Sequence, residues 1–216
     1  MTPVHTVSQQ ITFSSDSVTC EGLFARPAAD SRIPGLVICH PHPLRGGDML
    51  NNVVRALAEA FAATGFATLR FNFRGVGRST GQYGEGVGEQ EDGRAALSWL
   101  AAQPGIDAER LFLAGYSFGA RVTLAVAAAD PRVSGFIAVA PPILRDDWPS
   151  LESTRGPKIL LVGDRDPYAP SDRLTSVVKS LPEPKRLIVL ANTDHFFVGQ
   201  EHPLAQYAVK SLQELS

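Results

Sequence analysis

Cysteine is scarce in this chain, and so is any excess of charge. The two cysteines, Cys20 and Cys39, sit in apolar strand-like runs. They cannot build a disulfide framework and read as small buried hydrophobes, which fits a reducing compartment. Lys and Arg total 20 against 22 Asp and Glu, a formal charge of −2. A nonspecific nucleic-acid binder needs a broad cationic field to meet phosphates, so no nucleic-acid partner is expected. No uncharged apolar run approaches the roughly 20 residues that span a bilayer. The first ten residues hold neither a basic leader nor an apolar stretch. Those two absences together predict a cytoplasmic protein without a membrane partner.

What the chain does have is material for a core. It is 44% hydrophobic over 216 residues, and its 19 glycines follow no period. That composition excludes disorder and collagen-like repetition, and the length suits a single domain, residues 1–216. Near-continuous apolar runs at 36–39, 67–73, 111–114, 135–140, 159–162 and 187–190 predict strands covered on both faces, as in a parallel sheet. Between them lie helical stripes. Val53, Val54, Leu57, Ala58 and Phe61 form one, closed by Gly65, and Leu174, Val177, Val178 and Leu181 form another between Ser171 and Pro182. A last helix is predicted from Pro203, carrying Leu204, Tyr207, Ala208, Leu212 and Leu215. Ahead of all these, residues 9–13 and 19–25 flank Ser14-Ser15-Asp16-Ser17 and predict an antiparallel hairpin. The expected fold class is α/β, with the ligand site at the carboxyl ends of the parallel strands. The glycine-rich stretch 81–88 is the expected mobile loop.

Chemistry concentrates at Gly115-Tyr116-Ser117-Phe118-Gly119, which follows one apolar run and precedes a helix-compatible one. G-x-S-x-G between strand and helix is a nucleophile elbow, in which small flanking residues permit a turn sharp enough to project the serine hydroxyl. An alcohol attacks poorly unless a base takes its proton and a third group holds that base in the right tautomer. Downstream, Gly163-Asp164-Arg165-Asp166-Pro167 and Thr193-Asp194-His195-Phe196-Phe197 each follow a strand run and fall at the same sheet edge. The order Ser, Asp, His assigns Ser117 as nucleophile, His195 as general base and acid, and Asp166 as orienting carboxylate. Asp164 and Asp194 are the alternative acids, with turn-binding roles as their simpler reading. His5 and His202 read as surface residues.

Together with His40-Pro41-His42-Pro43 and Asn72-Phe73-Arg74-Gly75-Val76-Gly77-Arg78-Ser79, these motifs make the chain resemble the α/β-hydrolase superfamily. The resemblance is closest to small lidless hydrolases related to dienelactone hydrolases, and it runs from Thr19 to the last helix. It implies a mostly parallel central sheet with helices on both faces, an N-terminal antiparallel hairpin and no lid. It also implies an oxyanion hole built from the N–H after the nucleophile, Phe118, and one from the loop after the third strand. Pro41 and Pro43 have no N–H, which leaves His42 first and Leu44 behind it. One departure matters: dienelactone hydrolases use cysteine where this chain has Ser117, so their substrate does not carry over.

Other readings of the same residues are weaker. His40 and His42 lack further ligands at metal-site spacing, so loop stiffening is expected and no metal or other cofactor. Gly75-Val76-Gly77-Arg78-Ser79-Thr80 puts Thr80 where a dinucleotide fingerprint has its third glycine, and no P-loop occurs. The connection at 141–157 is too short for a cap domain, so an open site is expected, suited to small or accessible acyl esters. Tyr116 and Phe196 are the predicted substrate-binding residues, with Phe118, Trp148 and Phe197 as further candidates for an apolar wall. Arg45, Arg74, Arg78 and Arg165 lie near the same edge and make an anionic substrate group conceivable. The expected protein is a carboxylesterase-like serine hydrolase, monomer or homodimer, whose partner is a small-molecule acyl ester. Thioester, lactone and peptide hydrolysis use the same triad, and a noncatalytic binding module is the reading from another class.

Overall fold

The structure is a computed structural model and describes residues 6–143 and 149–216. Among the described residues eight strands form one sheet: β1 (Thr6–Ser15), β2 (Val18–Pro27), β3 (Ile33–Cys39), β4 (Ala67–Phe71), β5 (Ile106–Tyr116), β6 (Val133–Val139), β7 (Lys158–Gly163) and β8 (Lys185–Leu190). Their order across the sheet is β1-β2-β4-β3-β5-β6-β7-β8. β2 pairs antiparallel with both β1 and β4, and every pairing from β4 to β8 is parallel. This is the α/β architecture with an N-terminal hairpin that the apolar runs and the resemblance imply.

Among the described residues five α-helices cover the sheet: α1 (Asn52–Ala63), α2 (Val87–Ala101), α3 (Phe118–Ala129), α4 (Ser171–Ser180) and α5 (Glu201–Leu215). α1 packs with α5 and α2 with α3. Strands β3 and β7 are buried at every residue, which requires cover on each face and explains why their sequences run apolar without alternation. α1 starts where the Asn51 side chain accepts the Val53 N–H, and it buries Val53, Val54, Leu57, Ala58 and Phe61. The core continues through Phe61, Phe71, Phe73 and Phe136, all fully buried.

Two expectations are corrected. α5 begins at Glu201, two residues before Pro203, which is tolerated because the first turn of a helix has N–H groups without intrahelical acceptors. The stretch 81–88 is tied down instead of loose: Gly84 and Gly86 donate their N–H groups to the Glu89 carboxylate at 2.8 Å each. A Cβ on Gly88 would lie 2.4 Å from the Arg74 guanidinium, so these glycines serve close packing at the start of α2.

Candidate active site

The six parallel strands deliver their following loops to one edge, and β5 delivers Ser117 near its middle. Ser117 has φ 55° and ψ −117°, a conformation that an L-residue holds only under constraint from its surroundings. The constraint is visible. Ser117 N–H donates to Val139 O at 2.8 Å, and Ser117 O accepts from Ala120 and Arg121 in the first turn of α3. The flanking glycines are steric necessities: a Cβ on Gly115 would lie 2.2 Å from Gly119 O, and one on Gly119 would lie 2.3 Å from Cys39 O. Close approach of the segment after β3 to the start of α3 is therefore why the motif reads G-x-S-x-G.

Three distant residues meet at this point. Ser117 Oγ lies 3.0 Å from His195 Nε2, and His195 Nδ1 lies 2.7 Å from Asp166 Oδ2. The Asp166 side chain is fully buried, and its other oxygen accepts the N–H groups of Tyr168 at 2.8 Å and Ala169 at 3.0 Å. A carboxylate so fixed holds its acceptor toward Nδ1, which favours the tautomer with Nε2 free to take a proton from Ser117. The loop bearing His195 fits against the loop bearing Asp166 because Gly163 has no side chain; a Cβ there would meet Thr193 O at 2.1 Å.

The alternative acids are occupied elsewhere. Asp164 accepts Thr193 N–H at 3.1 Å, and backbone N–H groups of Asn192 and Thr193 hold its carboxyl below the usual range. Asp194 accepts Phe196 N–H at 2.9 Å and so caps its own turn.

On the other side of Ser117, His40 stiffens the loop after β3. A backbone N–H can only donate and a carbonyl can only accept. His40 Nε2, 3.0 Å from Phe73 N, is therefore the acceptor, and Nδ1, 2.6 Å from Pro41 O, carries the proton. Burial pushes the pKa of this imidazole down to about 4. His42 caps the short 3-10 turn Pro43–Arg45 by accepting Leu44 N–H at 3.2 Å, so the Leu44 N–H is engaged and the His42 N–H is the remaining candidate from that pair. Phe118 is the first residue of α3, where the N–H has no intrahelical acceptor. The two candidate oxyanion donors are neighbours, with their rings 5.1 Å apart.

Around them the structure adds residues that the sequence reading missed. Tyr83 stacks at 5.2 Å on His42 and 5.8 Å on Phe118, and Tyr168 lies edge-on to His195 at 4.9 Å. Tyr83 lies in the glycine-rich stretch, where only its being the sole aromatic among small and acidic neighbours could have marked it. Phe196 is 58% exposed beside His195, at the mouth where a substrate would pass. Tyr116 is a correction: it is 3% exposed and donates its hydroxyl to His195 O at 2.7 Å, so it lies behind the serine and does not line the mouth. Phe197 is fully buried in the core, and Trp148 lies outside the described residues. A cleft of about 260 Å³ opens beside Phe118, lined in part by Gly86, Val87, Gln90 and Ala125.

Three of the four arginines near this edge are engaged, Arg74 with Asp92, Arg78 with Glu21 and Arg165 with Asn192. Arg45 has no charged partner among the described residues, and its charge, after burial, helps hold the His42 pKa down. Among the described residues no group of three or more His, Cys, Asp and Glu side chains could hold a metal ion, and no helix is long and apolar enough to cross a membrane.

Comparison with known proteins places this geometry among relatives. The family model for X-Pro dipeptidyl-peptidase (S15 family) matches residues 21–153, a span that includes the Ser117 elbow and stops before Asp166 and His195. An uncharacterised protein of Rickettsia prowazekii is 34% identical over 196 residues, which is 87% of this chain and 82% of that one. The structure of an α/β serine hydrolase homologue from Coxiella burnetii superposes with a TM-score of 0.85 at 36% identity, covering 94% of this chain and 97% of that one. A serine hydrolase without a lid from Xanthomonas campestris gives 0.84 at 31% identity, covering 96% and 94%.

Proposed function

The chain belongs to the X-Pro dipeptidyl-peptidase (S15) family within the α/β-hydrolase superfamily, and from that premise we propose that it is a serine esterase acting on small or accessible acyl esters. Ser117 Oγ attacks the acyl carbon while its proton passes to His195 Nε2. Asp166 stabilises the imidazolium and keeps the ring in register. The N–H groups of Phe118 and His42 receive the negative charge that develops on the carbonyl oxygen, an interaction worth a few kcal/mol in the transition state. His195 then protonates the departing alcohol, and water repeats the sequence on the acyl-serine. No cofactor takes part.

The observation that carries this reading is the unbroken pair of hydrogen bonds, 3.0 Å and 2.7 Å, linking residues 78 and 29 positions apart. A noncatalytic module has no use for a serine held at positive φ against an imidazole that a buried carboxylate orients. The lidless site, like that of the serine hydrolase without a lid from Xanthomonas campestris, supports a small or accessible acyl group. Free, buried Cys20 and Cys39, each with its thiol pKa pushed up to about 12 by burial, suit a cytoplasmic setting. Assembly as monomer or homodimer belongs to the same proposal.

A fluorophosphonate probe tests the nucleophile. Wild type should label at Ser117, and Ser117→Ala should lose labelling and at least about a thousandfold of kcat on p-nitrophenyl acetate. Equal labelling of both proteins overturns the reading. Across p-nitrophenyl esters kcat/KM should fall beyond short acyl chains. A second reading, peptide-bond hydrolysis, is favoured by the family to which the matched model belongs. Turnover of an alanyl-prolyl p-nitroanilide faster than of the acetate ester would establish it in place of the ester. Acyl thioesters and lactones, opened by the same attack, belong in the same panel.

A further inference from the structure

We infer that Tyr116, the residue before the nucleophile, is a positioning residue that sets the distance between Ser117 and His195 by hydrogen-bonding the histidine's own backbone carbonyl. The inference rests on the esterase reading above. His195 is carried by a turn whose flanking residues Asn192 and Phe197 have φ of 56° and 53°, and its ring must stay within reach of two partners at once. Bonds inside and beside the turn fix its neighbours: Thr193 O accepts from Arg165 N, Thr193 N–H goes to Asp164, and Phe196 N–H goes to Asp194. The His195 carbonyl takes its hydrogen bond from farther away, from the Tyr116 hydroxyl at 2.7 Å, in a buried contact across 79 residues of chain.

The bond has a consequence for geometry. Tyr116 ends β5 in the middle of the sheet and is joined by one peptide bond to Ser117. A hydroxyl at the far end of its ring thus ties the base to the same rigid element that presents the nucleophile. The ring leans on the base as well, with centroids 5.6 Å apart, and meets Phe197 edge-on at 6.0 Å. Burial and the carboxylates of Asp166 and Asp194 push the Tyr116 pKa up, so the hydroxyl keeps its proton and remains a donor through the pH range in which His195 works as a base. On the solvent side Asn52 Nδ2 donates to Phe196 O at 3.3 Å and to Glu201 Oε1 at 2.7 Å, so the following peptide is held from the other direction.

The test compares Tyr116→Phe, which removes one oxygen and adds no volume, with replacement of Tyr116 by 4-aminophenylalanine, which restores a donor at the same ring position. Tyr116→Phe should lower kcat on p-nitrophenyl acetate and the fluorophosphonate labelling rate by about 10- to 100-fold, with KM within about twofold of wild type. The 4-amino variant should recover both rates to within about threefold. Circular dichroism at the assay temperature confirms that each protein is folded. A folded Tyr116→Phe with wild-type kcat and labelling rate overturns the inference, as does a 4-amino variant no faster than Tyr116→Phe. Failure of wild type to label would instead sink the esterase reading itself.

Discussion

The loops after β3 and β4 and the loops after β7 and β8 lie on opposite sides of Ser117, and they are held by different partners. The first bank is fixed by buried charge. Glu21 on β2 accepts Asn72 Nδ2 at 2.8 Å, Arg78 N at 2.7 Å and Arg78 Nε at 2.9 Å. Fully buried Asp92 on α2 grips the Arg74 guanidinium and also accepts the Arg74 N–H at 3.0 Å. In the second bank Asp164, Asp166 and Asp194 accept backbone N–H groups in place of a guanidinium, Asp166 also meets His195, and the His195 carbonyl takes the Tyr116 hydroxyl. The difference fits the two chemical duties proposed for these banks. An oxyanion donor works best when it needs no reorganisation, whereas a base that takes a proton from one oxygen and gives it to another must shift slightly between them. The contrast is that damage to the first bank should appear as lost stability and damage to the second as lost turnover.

The strongest challenge to that contrast is Arg74→Ala. It leaves Asp92 buried with one backbone N–H and no cation, and breaking such a pair costs about 3–5 kcal/mol. Urea unfolding should show that loss, while kcat/KM per folded molecule stays within about threefold. A drop in turnover as large as that of Tyr116→Phe would erase the distinction between the banks.

Acid should strike the same bank. His40 in the folded chain has a pKa of about 4 against 6.5 for the free side chain. Between those values the unfolded chain binds more protons, so this stabilisation is complete above pH 6.5 and declines as pH falls toward 4. The full loss is about 3 kcal/mol. A His40→Gln variant should be less stable at pH 7 yet show a shallower decline across that window in urea midpoints. An equal decline in both proteins would mean that another group carries the acid sensitivity.

The smallest effect is expected from Phe196→Ala. The ring is more than half exposed, so stability should stay within about 0.5 kcal/mol. KM for aryl esters should rise about two- to fivefold with kcat little changed. A Tm shift of several degrees would show that the second bank depends on this ring for its packing.

Most of the frame was legible because its causes are local. The apolar runs predict β3 and β7 since both are buried throughout, and the elbow is legible because Gly115 and Gly119 are compelled by contacts under 2.5 Å. Helix α2 was not legible. Its first half is Val87-Gly88-Glu89-Gln90-Glu91-Asp92-Gly93, and the apolar positions Ala96, Leu97 and Leu100 come too late to make a long stripe. What stabilises that half is the burial of Glu89 and Asp92 against Gly84, Gly86 and Arg74, partners that no periodicity reveals. Tyr116 was misread for a related reason. Beside a serine at the edge it suggests a substrate contact, but β5 is buried throughout its second half, residues 111–116, and its last residue points inward to the histidine's carbonyl. Ser117, Asp166 and His195 are adjacent in the structure because their strands are ordered β5, β7 and β8 in one sheet, which the chain order alone only suggests.

Strand β8 forms one edge of the sheet and is laddered to β7 alone. The proposed proton acceptor therefore rides on the rim, while the proposed nucleophile stands on the stiff middle of the open sheet. A molecule warmed or aged so that its margin frays first would keep its hydroxyl poised and its bulk architecture intact. It would nevertheless fall silent, for want of a neighbour to relieve that hydroxyl of its hydrogen.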